Sequence, residues 1–237
     1  MMKKMTLLIL ALCLVLTGCG KKEEAVDAST QATEKETVET APAASEQQPA
    51  ASEKEPAHVI NPLPDSTMDN LTDAILAVSL EEGGAYVDDT GKMQMDVKIY
   101  TYDKYDMVDI AQLKVGDIIV THAGEVEVTS LEENSIGIIV NGGLEEGGFD
   151  LVTDDSGIYF ETGFNDAKNW YEVGEATIRV SADFEGHDMA APDKGDVILY
   201  PGSFLVGEVT NYNFVPHNTT IRVEEGQIVE MTRTFMP

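Results

Sequence analysis

Thr219-Thr220-Ile221-Arg222-Val223, then Glu224-Glu225-Gly226-Gln227, then Ile228-Val229-Glu230-Met231-Thr232-Arg233-Thr234: two β-rich runs flank a short polar loop containing one glycine. β-Branched side chains suit a pleated, half-buried surface. The four-residue loop turns the chain back, with the glycine at positive φ. The stretch reads as a hairpin. Similar short runs lie upstream at Asp96 to Tyr102, Asp117 to Thr121, Val126 to Leu131, Ile136 to Val140, Ile158 to Thr162, Ala176 to Ser181, Val197 to Tyr200 and Leu205 to Thr210. Turn residues such as His122-Ala123-Gly124 and Glu132-Glu133-Asn134 separate them.

One segment carries a helical signature instead. From Met68 to Leu80, residues Leu71, Ala74, Ile75 and Val78 fall at helical spacing, with Ser66 or Thr67 as cap and Asp69 in the first turn. Asp109 to Leu113 has the length of a single helical turn. The expected fold class is therefore mainly β, a β-rich α+β arrangement of short antiparallel strands and hairpins with one amphipathic helix near 68–80. Residues 58–237 suffice for one domain or for two small tandem units, barrel-like or sandwich-like, divided as 58–142 and 143–237. The two-unit option rests on an internal echo. Leu80-Glu81-Glu82-Gly83-Gly84 followed by Asp88-Asp89-Thr90-Gly91 recurs as Leu144-Glu145-Glu146-Gly147-Gly148 followed by Asp154-Asp155-Ser156-Gly157. Leu113-Lys114-Val115-Gly116-Asp117 is echoed in turn by Tyr171-Glu172-Val173-Gly174-Glu175, and Lys194-Gly195-Asp196 repeats the turn out of register.

The N-terminus gives an address. Lys3 and Lys4, an apolar run from Leu7 to Leu16 and then small residues make the three-part pattern of a secretory signal. The uncharged window is too short for a spanning helix. Leu16-Thr17-Gly18-Cys19 resembles the lipobox of bacterial lipoproteins. That resemblance implies cleavage between Gly18 and Cys19 and attachment of diacylglyceride to the Cys19 sulfur. Residues 1–18 are then the removed signal, 19–57 the lipidated cysteine and its tether, and 58–237 an extracytoplasmic domain. The implied location is the outer face of a bacterial membrane, which is the cell surface where there is a single membrane. The chain has two cysteines. Cys13 leaves with the signal and Cys19 is consumed by lipid, so thiol catalysis and thiolate metal sites are excluded on this reading.

From Gly20 to Ala57 the composition is Glu, Ala, Thr, Ser, Gln, Pro and Lys without an aromatic residue. Such a segment buries too little apolar surface to offset its ordering entropy. It reads as a disordered tether with an r.m.s. reach of roughly 30–40 Å. Residues 58–237 carry 34 Asp and Glu against 9 Lys and Arg. So acidic a surface disfavours nucleic acid, which needs basic contacts, and leaves membrane contact to the lipid alone.

Reactive signatures are sparse. There is no G-x-S-x-G elbow and no H-E-x-x-H helix, and His58, His122, His187 and His217 are scattered without ligand spacing, as ordinary turn or surface residues. Pro192 to Tyr200 is similar to the strand before the catalytic histidine of papain-like cell-wall peptidases and to a strand opening in cyclophilin-like barrels. The first family requires a cysteine nucleophile that the mature chain lacks. No cofactor is expected, although Ca²⁺ is permitted at the acidic triplet Asp103, Asp106 and Asp109. Trp170, the one tryptophan, lies with Tyr171 in a polar segment and is the candidate ligand contact, to be weighed against a role as a core plug.

These features point to a lipid-anchored envelope lipoprotein that acts as a non-enzymatic binding or structural module, with an unidentified envelope or extracellular partner. Two alternatives stand beside it. One is an envelope enzyme that uses two carboxylates on a glycan. The other is a small solute-binding lipoprotein.

Overall fold

The computed structural model describes residues 56–163, 167–209 and 211–236. The signal, the lipobox residues Gly18 and Cys19, and the tether except its last two residues lie outside the described residues. In chain order the strands are β1 (Val59–Ile60), β2 (Ala74–Ser79), β3 (Ala85–Val87), β4 (Met93–Thr101), β5 (Lys104–Tyr105), β6 (Ile118–Thr121), β7 (Gly124–Glu127), β8 (Leu131–Glu133), β9 (Gly137–Val140), β10 (Phe149–Thr153), β11 (Tyr159–Thr162), β12 (Tyr171–Asp188), β13 (Val197–Leu199), β14 (Thr219–Glu224) and β15 (Gln227–Arg233). Among the described residues, two short helices, α1 (Met107–Ile110) and α2 (Pro201–Leu205), and a 3₁₀ turn at Leu144–Glu146 complete the set. The chain is mainly β.

Five strands close into a small barrel. Their order is β4-β2-β14-β15-β12, and β12 pairs back onto β4. Closure leaves these five without a free edge. One strand makes it happen: β12 is 18 residues long and serves both sides of the seam. Its first half, Tyr171 to Arg179, runs antiparallel to β4, and its second half, Arg179 to Asp188, runs parallel to β15. A bulge between Glu172 and Gly174 and a register shift between Val180 and Glu185 supply the bend. Inside lie Leu76 and Val78 of β2, Met95, Val97 and Ile99 of β4, Ile178 and Val180 of β12, Ile221 and Val223 of β14, and Ile228 and Met231 of β15. Phe204 of α2 joins this core, its ring 6.1 Å from those of both Phe184 and Phe214.

The chain between β4 and β12, joined by β1 from ahead of the barrel, builds a second, smaller body. Strands β5-β11-β10-β9-β8 form one sheet, and β6 sits between β1 and β7 in another. Ile60, Tyr105, Ile110, Ile119, Val128, Val140, Phe149 and Leu151 make a separate core. The two bodies are nested in sequence and not tandem. A boundary between 142 and 143 would separate β9 from β10, which pair directly with Val140 opposite Phe149.

The helix expected over 68–80 is not formed. Residues 74–79 are strand β2, preceded by a turn in which the Asn70 side-chain oxygen accepts from the Thr72 N–H at 3.1 Å and from its hydroxyl at 2.7 Å. Ile75, placed on the apolar helical stripe, is 74 % exposed, whereas Leu76, Val78 and Leu80 alternate into the core. Both periods fit these residues locally. Pairing with β14 on one side and β4 on the other decides for period two. The run Leu205 to Thr210 is likewise not a strand, since α2 ends at Leu205. Pro at its first helical position and the Ser203 hydroxyl, which accepts from the Tyr200 N–H at 3.2 Å, start that helix.

The opening hairpin is β14–β15, with a loop tighter than four residues. Glu224 and Gln227 are ladder partners, which leaves Glu225 (φ 50°) and Gly226 (φ 73°) as a two-residue connection of primed type. The internal echo survives as a local motif. In the β3–β4 turn, Asp88 Oδ1 accepts from the N–H groups of Thr90 and Lys92, both at 2.9 Å. In the β10–β11 turn, Asp154 Oδ1 accepts from Ser156 N–H at 2.9 Å and Ile158 N–H at 3.3 Å. Both carboxyls are held below their usual range, Asp88 chiefly by the Lys92 N–H and Asp154 chiefly by the Ser156 hydroxyl. The second echo has no structural counterpart. Gly116 sits in a turn with φ 96°, while Tyr171 to Glu175 is the opening stretch of strand β12.

Candidate functional site

The second body is inserted where the chain leaves β4 after Thr101 and returns at Tyr171; these two residues are register partners. Exit and re-entry are thus adjacent. Asp103, two residues past the exit, is only 4 % exposed. The Tyr171 hydroxyl donates to its Oδ1 at 3.1 Å. His122, from the turn between β6 and β7, gives its backbone N–H to Oδ2 at 2.7 Å and places Nδ1 3.0 Å from the same oxygen. A carboxylate facing Nδ1 favours the tautomer with the proton there, which leaves the lone pair on Nε2. The imidazole is stacked on the Tyr171 ring, with centroids 4.2 Å apart and planes inclined by 18°.

Glu161 of β11 completes the cluster. Asp103, His122 and Glu161 each present a ligand-type atom within 4.8 Å of the others. The Asn169 amide donates to Glu161 Oε1 at 2.9 Å. Burial raises the Glu161 pKa, and the Asp103 charge adds to this in part against the Asn169 hydrogen bond and His122. Desolvation, with Asp103 beside it, pushes Tyr171 up to about 12, so the phenol remains a donor at neutral pH. Tyr105, fully buried beneath, is pushed up by desolvation and donates to the Val120 carbonyl at 3.0 Å.

An aromatic flank borders this cluster. Trp170 meets Tyr102 edge to face, with centroids 4.9 Å apart, and Lys168 Nζ donates to the Tyr102 hydroxyl at 2.8 Å. A cleft of about 320 Å³ opens beside it, lined by residues 62–67, Tyr102, Asp103, Lys104 and Tyr171. Asp65 stands in its wall, accepting from the hydroxyls of Thr67 at 2.7 Å and Thr101 at 3.0 Å. Two larger hollows lie elsewhere. One, of about 630 Å³, is bordered by Glu81, Glu82, Asp96, Lys98 and Glu175, and the other, of about 730 Å³, lies between α1 and the β8–β9 hairpin. Neither contains a cluster of ligating side chains among the described residues.

Of the residues singled out from sequence, Trp170 and Tyr171 do lie at this site. Both are half-buried, and Tyr171 is joined to Asp103, which had been grouped with other residues. The triplet Asp103, Asp106 and Asp109 does not converge on an ion. Asp103 turns into the cluster, Asp106 caps α1 by accepting from Val108 N–H at 2.7 Å, and Asp109 sits in the first turn of that helix. The three-residue spacing spans a strand end and a helix start, so it does not place the side chains on one face. His122 and Glu161 were not identified from sequence. Contributing segments centred on 103, 122, 161 and 171 are separated by other elements, and no local spacing marks them. In comparisons with known families, with curated proteins and with solved structures, nothing matches this chain.

Proposed function

We propose that this protein is a lipid-anchored, extracytoplasmic binding module of a bacterial envelope, and that its ligand is met at the cleft beside Asp103. The observation that carries the reading is the preorganised floor of that cleft. Both oxygens of Asp103 are already held by donors, from Tyr171 at a strand end of the closed barrel and from His122 in the β6–β7 turn, with Tyr102 and Trp170 alongside. Fixed polar groups beside an aromatic flank suit recognition of a polar ligand with an apolar face, such as a sugar ring. The lipobox-like Leu16-Thr17-Gly18-Cys19 supplies the address, and the tether supplies reach. The acidic surface favours neutral or cationic ligands over anionic ones.

Two measurements test this. Radiolabelled palmitate should enter the wild-type chain in a bacterial host and be absent from Cys19→Ala; label retained in the variant would remove the anchor. A trimer of N-acetylglucosamine, used as the probe, should shift the Trp170 indole resonance of the wild-type chain and leave a Tyr171→Ala variant unshifted. An indole that does not respond would refute the assignment of this cleft to glycans.

One observation favours a second reading, a glycan-active enzyme. Asp103 and Glu161 are facing carboxylates in unlike surroundings, one fixed by three donors and the other with a raised pKa. Such a division is how acid and base are assigned in carboxylate pairs. Hydrolysis of the same trimer, abolished in Glu161→Gln, would establish it in place of the binding module. A two-lobed solute-binding architecture, built on alternating helices and strands, finds no support in the barrel.

A further inference from the structure

We infer that Asp103, His122 and Glu161 together bind a divalent transition-metal ion of the Zn²⁺ type. This goes beyond the binding-module reading and does not depend on it. The donor set is one imidazole and two carboxylates, which suits first-row divalent ions, and the imidazole disfavours Ca²⁺ and Mg²⁺, which take oxygen ligands.

The geometry is close to that of a coordination shell. Metal–ligand bonds of about 2.0–2.2 Å put neighbouring ligand atoms about 3.0–3.4 Å apart. The edge between His122 Nδ1 and Asp103 Oδ2 is already 3.0 Å. The remaining edges, within 4.8 Å, close by rotation of Glu161, the longest side chain of the three. In the metal-bound form the ion takes the place of the Nδ1 proton between His122 and Asp103, and that proton moves to Nε2 of the neutral ring.

The surroundings also match what holds metal ligands in place. Tyr171 donates to Asp103 at 3.1 Å and Asn169 to Glu161 at 2.9 Å, so each carboxylate has a neutral donor that orients it. His122 is fixed from below by the Tyr171 ring. Charge supplies an independent indication. Two carboxylates face each other in a partly buried place, and among the described residues the one ion pair made by either is that of Asp103 with His122 itself. Lys104 and Lys168 lie over the Tyr102 ring instead, at 4.9 and 4.1 Å from its centroid. A divalent ion would place positive charge between the two carboxylates.

The test is calorimetric titration of the full chain in detergent with ZnCl₂, and separately with CaCl₂. One saturable Zn²⁺ site is expected, with Ca²⁺ at least tenfold weaker. His122→Ala and Glu161→Gln should each lower Zn²⁺ affinity by at least about tenfold, while Glu175→Gln, in the separate acidic hollow, should leave it unchanged. Absence of a saturable site, equal affinity for Ca²⁺, or wild-type affinity in both site variants would overturn the assignment. Should His122→Ala fail to fold, the wild-type chain carries its own readout. The His122 ring ¹⁵N resonances should move on adding one equivalent of Zn²⁺, and unmoved resonances would equally refute the site. Palmitate labelling and the indole response are read without metal, so failure here and failure of the binding-module reading are distinguishable.

Discussion

Arg233 is the cation on which closure of the barrel most depends, and replacing it with Met should cost about 3–5 kcal/mol of stability. It is the last link of the parallel β12–β15 seam, opposite Asp188, and is 4 % exposed. Its Nε donates to Asp188 Oδ1 at 2.9 Å and its Nη2 to Oδ2 at 2.5 Å, a two-point fork that matches the carboxylate. Nη1 donates to the Asn211 carbonyl at 2.6 Å, and the guanidinium carbon lies 4.1 Å from the centroid of the Phe214 ring. Arg233→Met keeps the apolar stem but strips a cation from a carboxylate whose side chain is 17 % exposed. The buried charge left behind accounts for most of the loss, and the stacking on Phe214 for about 1 kcal/mol of it.

Urea unfolding at pH 7 of Arg233→Met, of Asp188→Leu and of the double variant forms the assay. Each single change leaves the other charge unpaired, so both should be strongly destabilising, while the double variant removes the orphan and should be milder than the sum by at least about 2 kcal/mol. The pH dependence has a defined sign. Burial opposes ionisation of Asp188, but the Arg233 hydrogen bonds, the Ala190 N–H and the charges of Arg233 and Lys194 together outweigh it and hold the pKa below its usual value. The contribution is therefore complete above the unfolded value of about 3.9 and is lost as the pH falls through the folded one. The gap between wild type and Arg233→Met should narrow in acid. Additive singles, each below about 1 kcal/mol, would refute the picture of a buried pair holding the seam.

Three other expectations concern local structure. Leu76→Ala should cost about 2–5 kcal/mol in the same assay, and Ile75→Ala within about 0.5 kcal/mol; similar losses at both would restore the helical stripe. Gly148→Ala should destabilise the inserted body by about 1–3 kcal/mol, because its new Cβ would stand 2.0 Å from the Val140 carbonyl oxygen and 2.7 Å from that of Asn141. Gly202→Ala, in α2 with open space around it, should instead raise the melting temperature. Finally, His187 is held 2.9 Å from Asp196 and its pKa is raised chiefly by that hydrogen bond. NMR titration should place its midpoint above about 6.5, returning toward it in Asp196→Asn; whatever the pair contributes to stability is present below that value and lost as the pH rises through the folded midpoint.

How much of this was legible from sequence follows from how local each determinant is. The β14–β15 hairpin was legible because Gly226 and the β-branched runs act within a dozen residues. The helix over 68–80 misled because Leu76, Val78 and Leu80 alternate while Leu71, Ala74, Ile75 and Val78 also fall on a helical face, and only the partners β14 and β4 break the tie. Nesting of one body inside the other was hidden for a related reason. Strands β4 and β12 are separated by the whole insert, and their pairing is a long-range choice that no turn residue announces. Tyr171 was flagged for its loop-like neighbours, yet its partners Asp103 and His122 lie 68 and 49 positions away in sequence.

That nesting also explains why the candidate site is where it is. An insert in a closed barrel must leave and return between neighbouring strands, and here the pairing of Thr101 with Tyr171 holds both crossings together. Side chains just beyond such a pair are half-covered by barrel and insert alike, which is how Asp103 becomes buried while remaining beside a cleft. A cluster there draws Asp103 and Tyr171 from the barrel ends, and His122 and Glu161 from β6–β7 and β11 of the insert. A ligand bound to all of them therefore bridges two separate cores, Ile99 and its neighbours on one side and Ile119 and Leu151 on the other. Ligand that binds only the native arrangement stabilises by RT ln(1 + [L]/Kd), about 2.7 kcal/mol at a hundredfold excess over Kd. Because the bridge spans both bodies, amide exchange should slow in the insert as well as in the barrel when the site is filled. Protection confined to one body would mean that the bound group touches only that half of the cluster.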